Sequence, residues 1–291
     1  MNHTEKDVND IELASVAAIK AILYPDGFHF SKAMGQNFLV NPAIPDRIAS
    51  TLPSDGSWGV LEVGPGLGAL TDRLSVRASQ MVAIELDDRL IPHLENSFGE
   101  RGVTIVRGDV LKADLASLVR DHLDGLHPAC YANLPYYITT PAISALLEAK
   151  CFEKIVLMVQ KEVARRICSA PGSADYSAFT VYVSYYAGRR TLFGVPSGCF
   201  FPAPKVDSAV IELSPFSEPA VKVRDEAVFF RTVRASFENR RKTLSNSIAS
   251  VAGGKEGAMA ALEACGIDPK RRGETLSLEE FAALSDAVAS L

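Results

Sequence analysis

The sequence predicts an α/β fold with a mainly parallel sheet, followed by a smaller all-helical domain. Three observations predict it. Between residue 58 and about residue 170, short β-type runs alternate with helical segments, the pattern of strands joined by crossover helices. Four of these runs each end in a glycine-rich or polar element. Beyond Pro215 the β-type runs fade and apolar residues recur at helical spacing. A chain of 291 residues, 47% of them hydrophobic, is long enough to build both parts.

Taken in order, residues 10–23 have helical spacing, with Ile11, Val16, Ile19 and Leu23 apolar. Residues 24–34, with Pro25 and Gly27, read as a loop. Asn41 and Pro42 read as an N-cap and a first helical position, ahead of Ile44, Ile48 and Leu52 on one face. Val60-Leu61-Glu62-Val63 leads into Gly64-Pro65-Gly66-Leu67-Gly68. Met81-Val82-Ala83-Ile84 ends on Glu85. Val103-Thr104-Ile105-Val106 is followed by Gly108-Asp109, and Cys130-Tyr131-Ala132 by Asn133-Leu134-Pro135-Tyr136. Residues 153–160 form the next strand, and residues 176–186, 190–195 and 208–213 read as the last β-type pieces. The proline-bearing stretch 215–219 reads as a linker. Residues 228–237, 244–252 and 256–264 are helical in pattern, and Ser277 with Glu280 forms a capping box for a final helix. The expected domains are an N-terminal extension (1–30), an α/β domain (31–214) and a helical domain (215–291).

Composition narrows the function classes. No apolar run approaches the length that spans a membrane. The polar, acidic start is unlike a secretory signal. Five cysteines, an odd number without CxxC spacing, argue against a disulfide framework or a structural zinc site, so no metal is expected. A reducing, cytoplasmic setting fits them best. A net charge of -5 gives no global attraction to nucleic acid, so any such binding requires a local basic patch.

In an open α/β sheet, ligands bind outside the carboxyl ends of the strands, so the four strand-end elements are expected to converge on one crevice. Glycines at 64, 66 and 68 let backbone approach a ligand closely. Glu85, about twenty residues after Gly64, can accept both hydroxyls of an adenosine ribose. Together they indicate an adenosine-containing cofactor, with NAD and S-adenosylmethionine both open. Asp109 can accept from an adenine amino group or cap a helix.

The Asn-Leu-Pro-Tyr segment suits methylation of an exocyclic nucleobase amine. That nitrogen is a poor nucleophile because its lone pair is delocalised into the ring. Carbonyl oxygens from Asn133 and Leu134 could accept its N–H bonds and aim the lone pair at a methyl group, while Tyr136 offers a ring for stacking. Phe200, stiffened by Pro202 and Pro204, could sandwich an extruded base, with Phe201 expected in the core. Arg231, Arg234, Arg240, Arg241 and Lys242, interleaved with Phe229, Phe230 and Phe237, form a candidate nucleic-acid surface.

These pieces resemble the ribosomal RNA adenine dimethyltransferase family, and within it the bacterial small-subunit branch. The resemblance rests on Gly35-Gln36-Asn37-Phe38-Leu39, the glycine loop with Ala69-Leu70-Thr71, Glu85, Gly108-Asp109-Val110, Asn133-Leu134-Pro135-Tyr136, the segment 200–208, and Asn239-Arg240-Arg241-Lys242-Thr243-Leu244. It implies a class I (Rossmann-like) S-adenosylmethionine-dependent methyltransferase domain with a small all-α C-terminal domain. It implies dimethylation of two adjacent adenosines near the 3′ end of small-subunit ribosomal RNA, inside an assembling 30S particle; a monomer is expected. By position, Asn37, Leu39, Gly64, Glu85, Asp109 and Asn133 would bind S-adenosylmethionine, and Asn133, Leu134, Tyr136 and Phe200 would hold the adenine. The rivals are a methyltransferase of large-subunit RNA, an assembly or transcription factor on the same scaffold, and an NAD-dependent oxidoreductase.

Overall fold

The computed structural model describes residues 12–24 and 36–291. Most of the expected extension 1–30, the loop 24–34 and Gly35 lie outside the described residues. In chain order the elements are α1 (Val16–Leu23), β1 (Phe38–Leu39), α2 (Ala43–Ala49), β2 (Trp58–Val63), α3 (Ala69–Leu74), β3 (Gln80–Glu85), α4 (Ile91–Phe98), β4 (Val103–Arg107), α5 (Leu115–His122), β5 (His127–Asn133), α6 (Thr139–Glu148) and β6 (Lys154–Gln160). Then come α7 (Lys161–Ile167), α8 (Ala178–Tyr186), β7 (Ala187–Val195), β8 (Phe200–Phe201), β9 (Ser208–Pro215), α9 (Glu226–Glu238), α10 (Leu244–Ser247), α11 (Lys255–Ala264) and α12 (Leu278–Val288).

The chain divides into two compact units. One runs to Ala164 and adds Arg190–Pro215; the other joins Arg165–Arg189 to Phe216–Leu291. The sheet has the order β4-β3-β2-β5-β6-β9-β7. The pairs from β4 through β6 are parallel, and β9 runs antiparallel to β6. Strands β2, β3 and β6 are buried almost end to end, as parallel strands covered on both faces must be.

Register does the positioning. Val106, Ile84, Val63, Ala132 and Leu157 stand in one row across five strands. The residues one step further therefore form a second row at the carboxyl edge, which contains Glu85, Gly64 and Asn133. The ladder bonds continue into that edge, where the Gly64 N–H donates to the Ile84 carbonyl and the Gly108 N–H to the Glu85 carbonyl, each at 2.9 Å. A short antiparallel pair, β1 with β8, lies outside the main sheet and matches Phe38 with Phe201 and Leu39 with Phe200.

Residues 176–186 depart from the sequence expectation, since Ala178–Tyr186 is helix and not strand. Valine, tyrosine and phenylalanine favour strands, but here a capping box decides. The Ser177 hydroxyl accepts from the Thr180 N–H, and the Thr180 side chain accepts from the Ser177 N–H. In the second unit α8 packs with α9 to α12 around Phe229, Leu244, Leu262 and Phe281, all fully buried. The expected capping box at Ser277 and Glu280 is present and opens α12. In the first unit α2 opens at Ala43, one residue later than expected, and Asn41 Oδ1 accepts from the Ala43 N–H at 3.1 Å.

The end of the glycine loop has no room for a side chain. Gly68 has φ +86°, and a Cβ there would lie 2.2 Å from Cε2 of Phe98, which α4 buries completely. Left-handed strain and overpacking add, so Gly68→Ala is expected to cost about 2–4 kcal/mol. Urea unfolding of the variant should show a clearly lowered midpoint; an unchanged midpoint would contradict this packing.

Candidate active site

One cavity at the carboxyl edge of the sheet is lined by Asn37, Leu39, Gly64, Glu85, Asp109, Asn133, Leu134, Tyr136 and Phe200. The structure thus brings together every candidate cofactor and base-binding residue. Gly64 has φ +66°, and its missing Cβ would point into open space, so the backbone there is bare toward the cavity.

Glu85 is 7% exposed and closes β3. Its Oε2 accepts from the Gly66 N–H at 3.1 Å, and its Oε1 accepts from the N–H groups of Leu86 and Asp87, each at 2.8 Å. One carboxylate therefore ties the glycine loop to the end of the neighbouring strand. A carboxylate has about four acceptor positions, so three such bonds leave capacity for a ligand. Burial raises the Glu85 carboxyl above the ordinary range, against the lowering effect of its backbone donors.

Asp109 lines the cavity and opens a turn, not a helix; the next helix, α5, begins only at Leu115 and is capped by Asp114. Its Oδ1 accepts from the Leu111 N–H at 3.0 Å, and Lys112 stands 3.8 Å from Oδ2. Asn133 donates through Nδ2 to the Asn37 carbonyl at 3.3 Å. That bond sets the direction of the amide and leaves Oδ1 as an acceptor without a partner among the described residues. The Leu134 N–H is held by the Met158 carbonyl at 3.2 Å. Pro135, with ψ 136°, turns the chain out of the strand, and the Tyr136 hydroxyl meets Ser208 Oγ at 2.9 Å. The loop that carries two carbonyl acceptors and an aromatic ring is thus fixed at both ends.

Phe200 is 4% exposed, packs in the main core and lines the cavity. Phe201, expected in the core, is only half-buried. Neighbouring residues on a strand face opposite ways, and pairing with β1 turns Phe200 inward.

The basic candidates lie in the other unit. Arg231 and Arg234 are exposed on α9, and Arg241 and Lys242 are exposed on the turn that follows it. Arg240 does structural work as well, donating to the carbonyls of Ala174 at 2.8 Å and Tyr176 at 2.7 Å. Exposed Lys270 and Arg272 flank Arg271, whose carbonyl accepts from the Leu244 N–H at 2.8 Å, so this second basic run lies beside the end of the Arg240–Lys242 turn. Sequence reasoning missed them, although Lys270-Arg271-Arg272 is a visible basic run.

Three cavity residues were also missed. Gln36 Nε2 donates to Asp87 Oδ2 at 2.7 Å, and Arg89 donates to the same carboxylate. Burial raises the Asp87 carboxyl, but the bonds from Arg89 and Gln36 outweigh it and hold Asp87 below its usual range. The third is Glu62, inside β2, which is 2% exposed. Among the described residues no group of acids, histidines and cysteines is arranged to hold a metal, and no helix is long and apolar enough to cross a membrane.

The family model for ribosomal RNA adenine dimethylase matches residues 27–290. Relatives named ribosomal RNA small subunit methyltransferase A, from Shouchella clausii and Geobacillus thermodenitrificans, are each 45% identical to this chain, covering 96% of it and 96% and 98% of themselves. A dimethyladenosine transferase from Plasmodium falciparum matches in structure with TM-score 0.70 and 26% identity, over 84% of this chain and 95% of that one. The 23S rRNA methyltransferase ErmE matches with TM-score 0.65 and 26% identity, over 87% of this chain and 100% of that one. The fold is therefore that of class I S-adenosylmethionine-dependent methyltransferases. Within that class, the chain belongs to the ribosomal RNA adenine dimethylase family.

Glu85→Ala removes the proposed ribose acceptor and leaves three backbone N–H groups unpaired. We expect S-adenosylmethionine affinity to fall roughly ten- to hundredfold, with a lowered melting temperature in the ligand-free protein. Calorimetric titration alongside thermal melting checks both; unchanged affinity would remove Glu85 from the binding site.

Proposed function

We propose that this protein transfers methyl groups from S-adenosylmethionine to the exocyclic nitrogens of two adjacent adenosines near the 3′ end of small-subunit ribosomal RNA. It acts as a monomer in the cytoplasm, on an assembling 30S particle. The observation that carries the reading is the Asn133-Leu134-Pro135-Tyr136 loop, which lines one cavity with the glycine loop and Glu85. Support for the small subunit comes from the names of the relatives that are 45% identical.

The residues present suit S-adenosylmethionine. Gly64 offers bare backbone, Glu85 a carboxylate for ribose hydroxyls, Asp109 an acceptor for the adenine amino group, and Asn37, Leu39 and Asn133 the remaining wall. When bound, the cofactor supplies an electrophilic methyl group on a sulfonium. Everything else is positioning by the protein. Asn133 Oδ1 and the Leu134 carbonyl accept the two N–H bonds of the target amine, which draws its lone pair out of conjugation and directs it along one line. Tyr136 and Phe200 hold the adenine ring flat against that alignment. No strong base is needed, because the amine loses its proton to water only after its nitrogen has become cationic. The helical unit, with Arg231, Arg234, Arg241 and Lys242 exposed, supplies charge for phosphates in a protein that is acidic overall. In that unit Arg240 serves as brace and contact together.

The test is transfer of labelled methyl groups to unmethylated ribosomal subunits, with the label then mapped. Label on two adjacent adenosines of small-subunit RNA is expected. Label in large-subunit RNA would favour the large-subunit reading, and tight particle binding with no transfer would favour a non-catalytic assembly factor.

A further inference from the structure

The cavity contains a carboxyl that the proposed transfer does not use. Glu62 sits one residue from the end of β2, is 2% exposed, and lines the cavity with Gly64 and Glu85. Its one hydrogen bond among the described residues is from Thr71 Oγ1 on α3, at 2.6 Å to Oε2. The groups around it come from each packed element. Ala83 on β3 and Tyr131 on β5 stand in register with it. Glu85 from β3 and Cys130 from β5 interact with it through space. Asp87, beyond β3, is committed to Arg89 and Gln36. Arg77, just past α3, bears on Tyr131, and His93 from α4 meets the Leu67 carbonyl of the glycine loop at 3.2 Å. Asp72 and Arg73 of α3 pair with each other, and Asp72 also with Arg101. No lysine, arginine or histidine among the described residues pairs with Glu62.

A buried carboxylate without a cation is costly, so such a group keeps its proton. Burial pushes the Glu62 carboxyl up to about 8, against the lowering effect of the Thr71 bond and with a smaller raising contribution from Glu85. The methionine part of S-adenosylmethionine carries an ammonium and a sulfonium. A cation brought into that cavity reverses the balance and favours the charged form of the acid.

We infer that Glu62 is a proton-exchanging cation site within the cofactor cavity: it holds its proton in the free protein and yields it to solvent when the cationic cofactor binds. The O–H bond of the acid breaks, the proton passes to buffer, and the electron pair remains on the carboxylate that faces the ligand. The inference rests on the S-adenosylmethionine reading. The sign follows from linkage. Binding that releases a proton strengthens as pH rises, here by up to about tenfold per pH unit below the titration of the free acid near pH 8; above that the cofactor's own α-ammonium loses its proton and binding weakens again.

The experiment is isothermal titration in buffers of different ionisation enthalpy, which counts protons released per ligand bound. For wild type at pH 7, S-adenosylmethionine should release close to one proton. Glu62→Gln keeps an acceptor for Thr71 and cannot ionise. It should release none, and its affinity should lose the rise between pH 6 and pH 8. Methylthioadenosine, which has neither ammonium nor sulfonium, should release none even from wild type, an arm that does not depend on folding of the variant. Equal proton counts for wild type and Glu62→Gln, or full release with methylthioadenosine, would overturn the proton exchange and leave cofactor binding standing. Absence of any S-adenosylmethionine binding by wild type would overturn the cofactor reading, and this inference with it.

Discussion

Three backbone N–H groups converge on the carboxylate of Glu85, and the site is built outward from that point. Gly66 belongs to the loop after β2, whereas Leu86 and Asp87 begin the turn after β3. A single buried acid therefore fixes the distance between two strand ends that chain connectivity leaves far apart. The parallel register supplies the frame on which this works, because it sets Gly64, Glu85 and Asn133 in one row. Burial works against the charge and the hydrogen bonds support it, so Glu85 is held where ligand binding can act on it.

From that anchor the site extends through backbone contacts. The segment around Asn37 crosses the cavity and is tied at Gln36 to Asp87 and at the Asn37 carbonyl to Asn133. The same segment continues into β1, whose pairing with β8 turns Phe200 inward. Cofactor-side and base-side residues thus share one set of ties. A change at Asp87 or Asn37 would be felt by both halves of the proposed reaction.

Much of this was legible in the sequence because each strand end combines a short apolar run with a conspicuous stop. Glycines, a terminal acid and an Asn-Leu-Pro-Tyr turn stand out against valine and isoleucine. Residues 176–186 misled because aromatic and β-branched residues favour strands, and only the reciprocal Ser177–Thr180 bonds show a helix start. Glu62 was hidden inside its own strand, where an acid between apolar residues looks like ordinary alternation. The grouping of Arg165–Arg189 with the helical unit depends on tertiary contacts that no local pattern carries. The same holds for Lys270 and Arg272, which the bond between Leu244 and Arg271 brings near the Arg240–Lys242 turn.

The central claim is that an acceptor oxygen on a fixed asparagine, and no general base, activates the target amine. Single-turnover methyl transfer by Asn133→Ala, on unmethylated small subunits with saturating cofactor, tests it most directly. The account predicts a rate lower by about 10²–10³-fold, the effect of losing one preorganised transition-state partner, with subunit binding nearly unchanged. A folded variant that transfers methyl groups at the wild-type rate would contradict it.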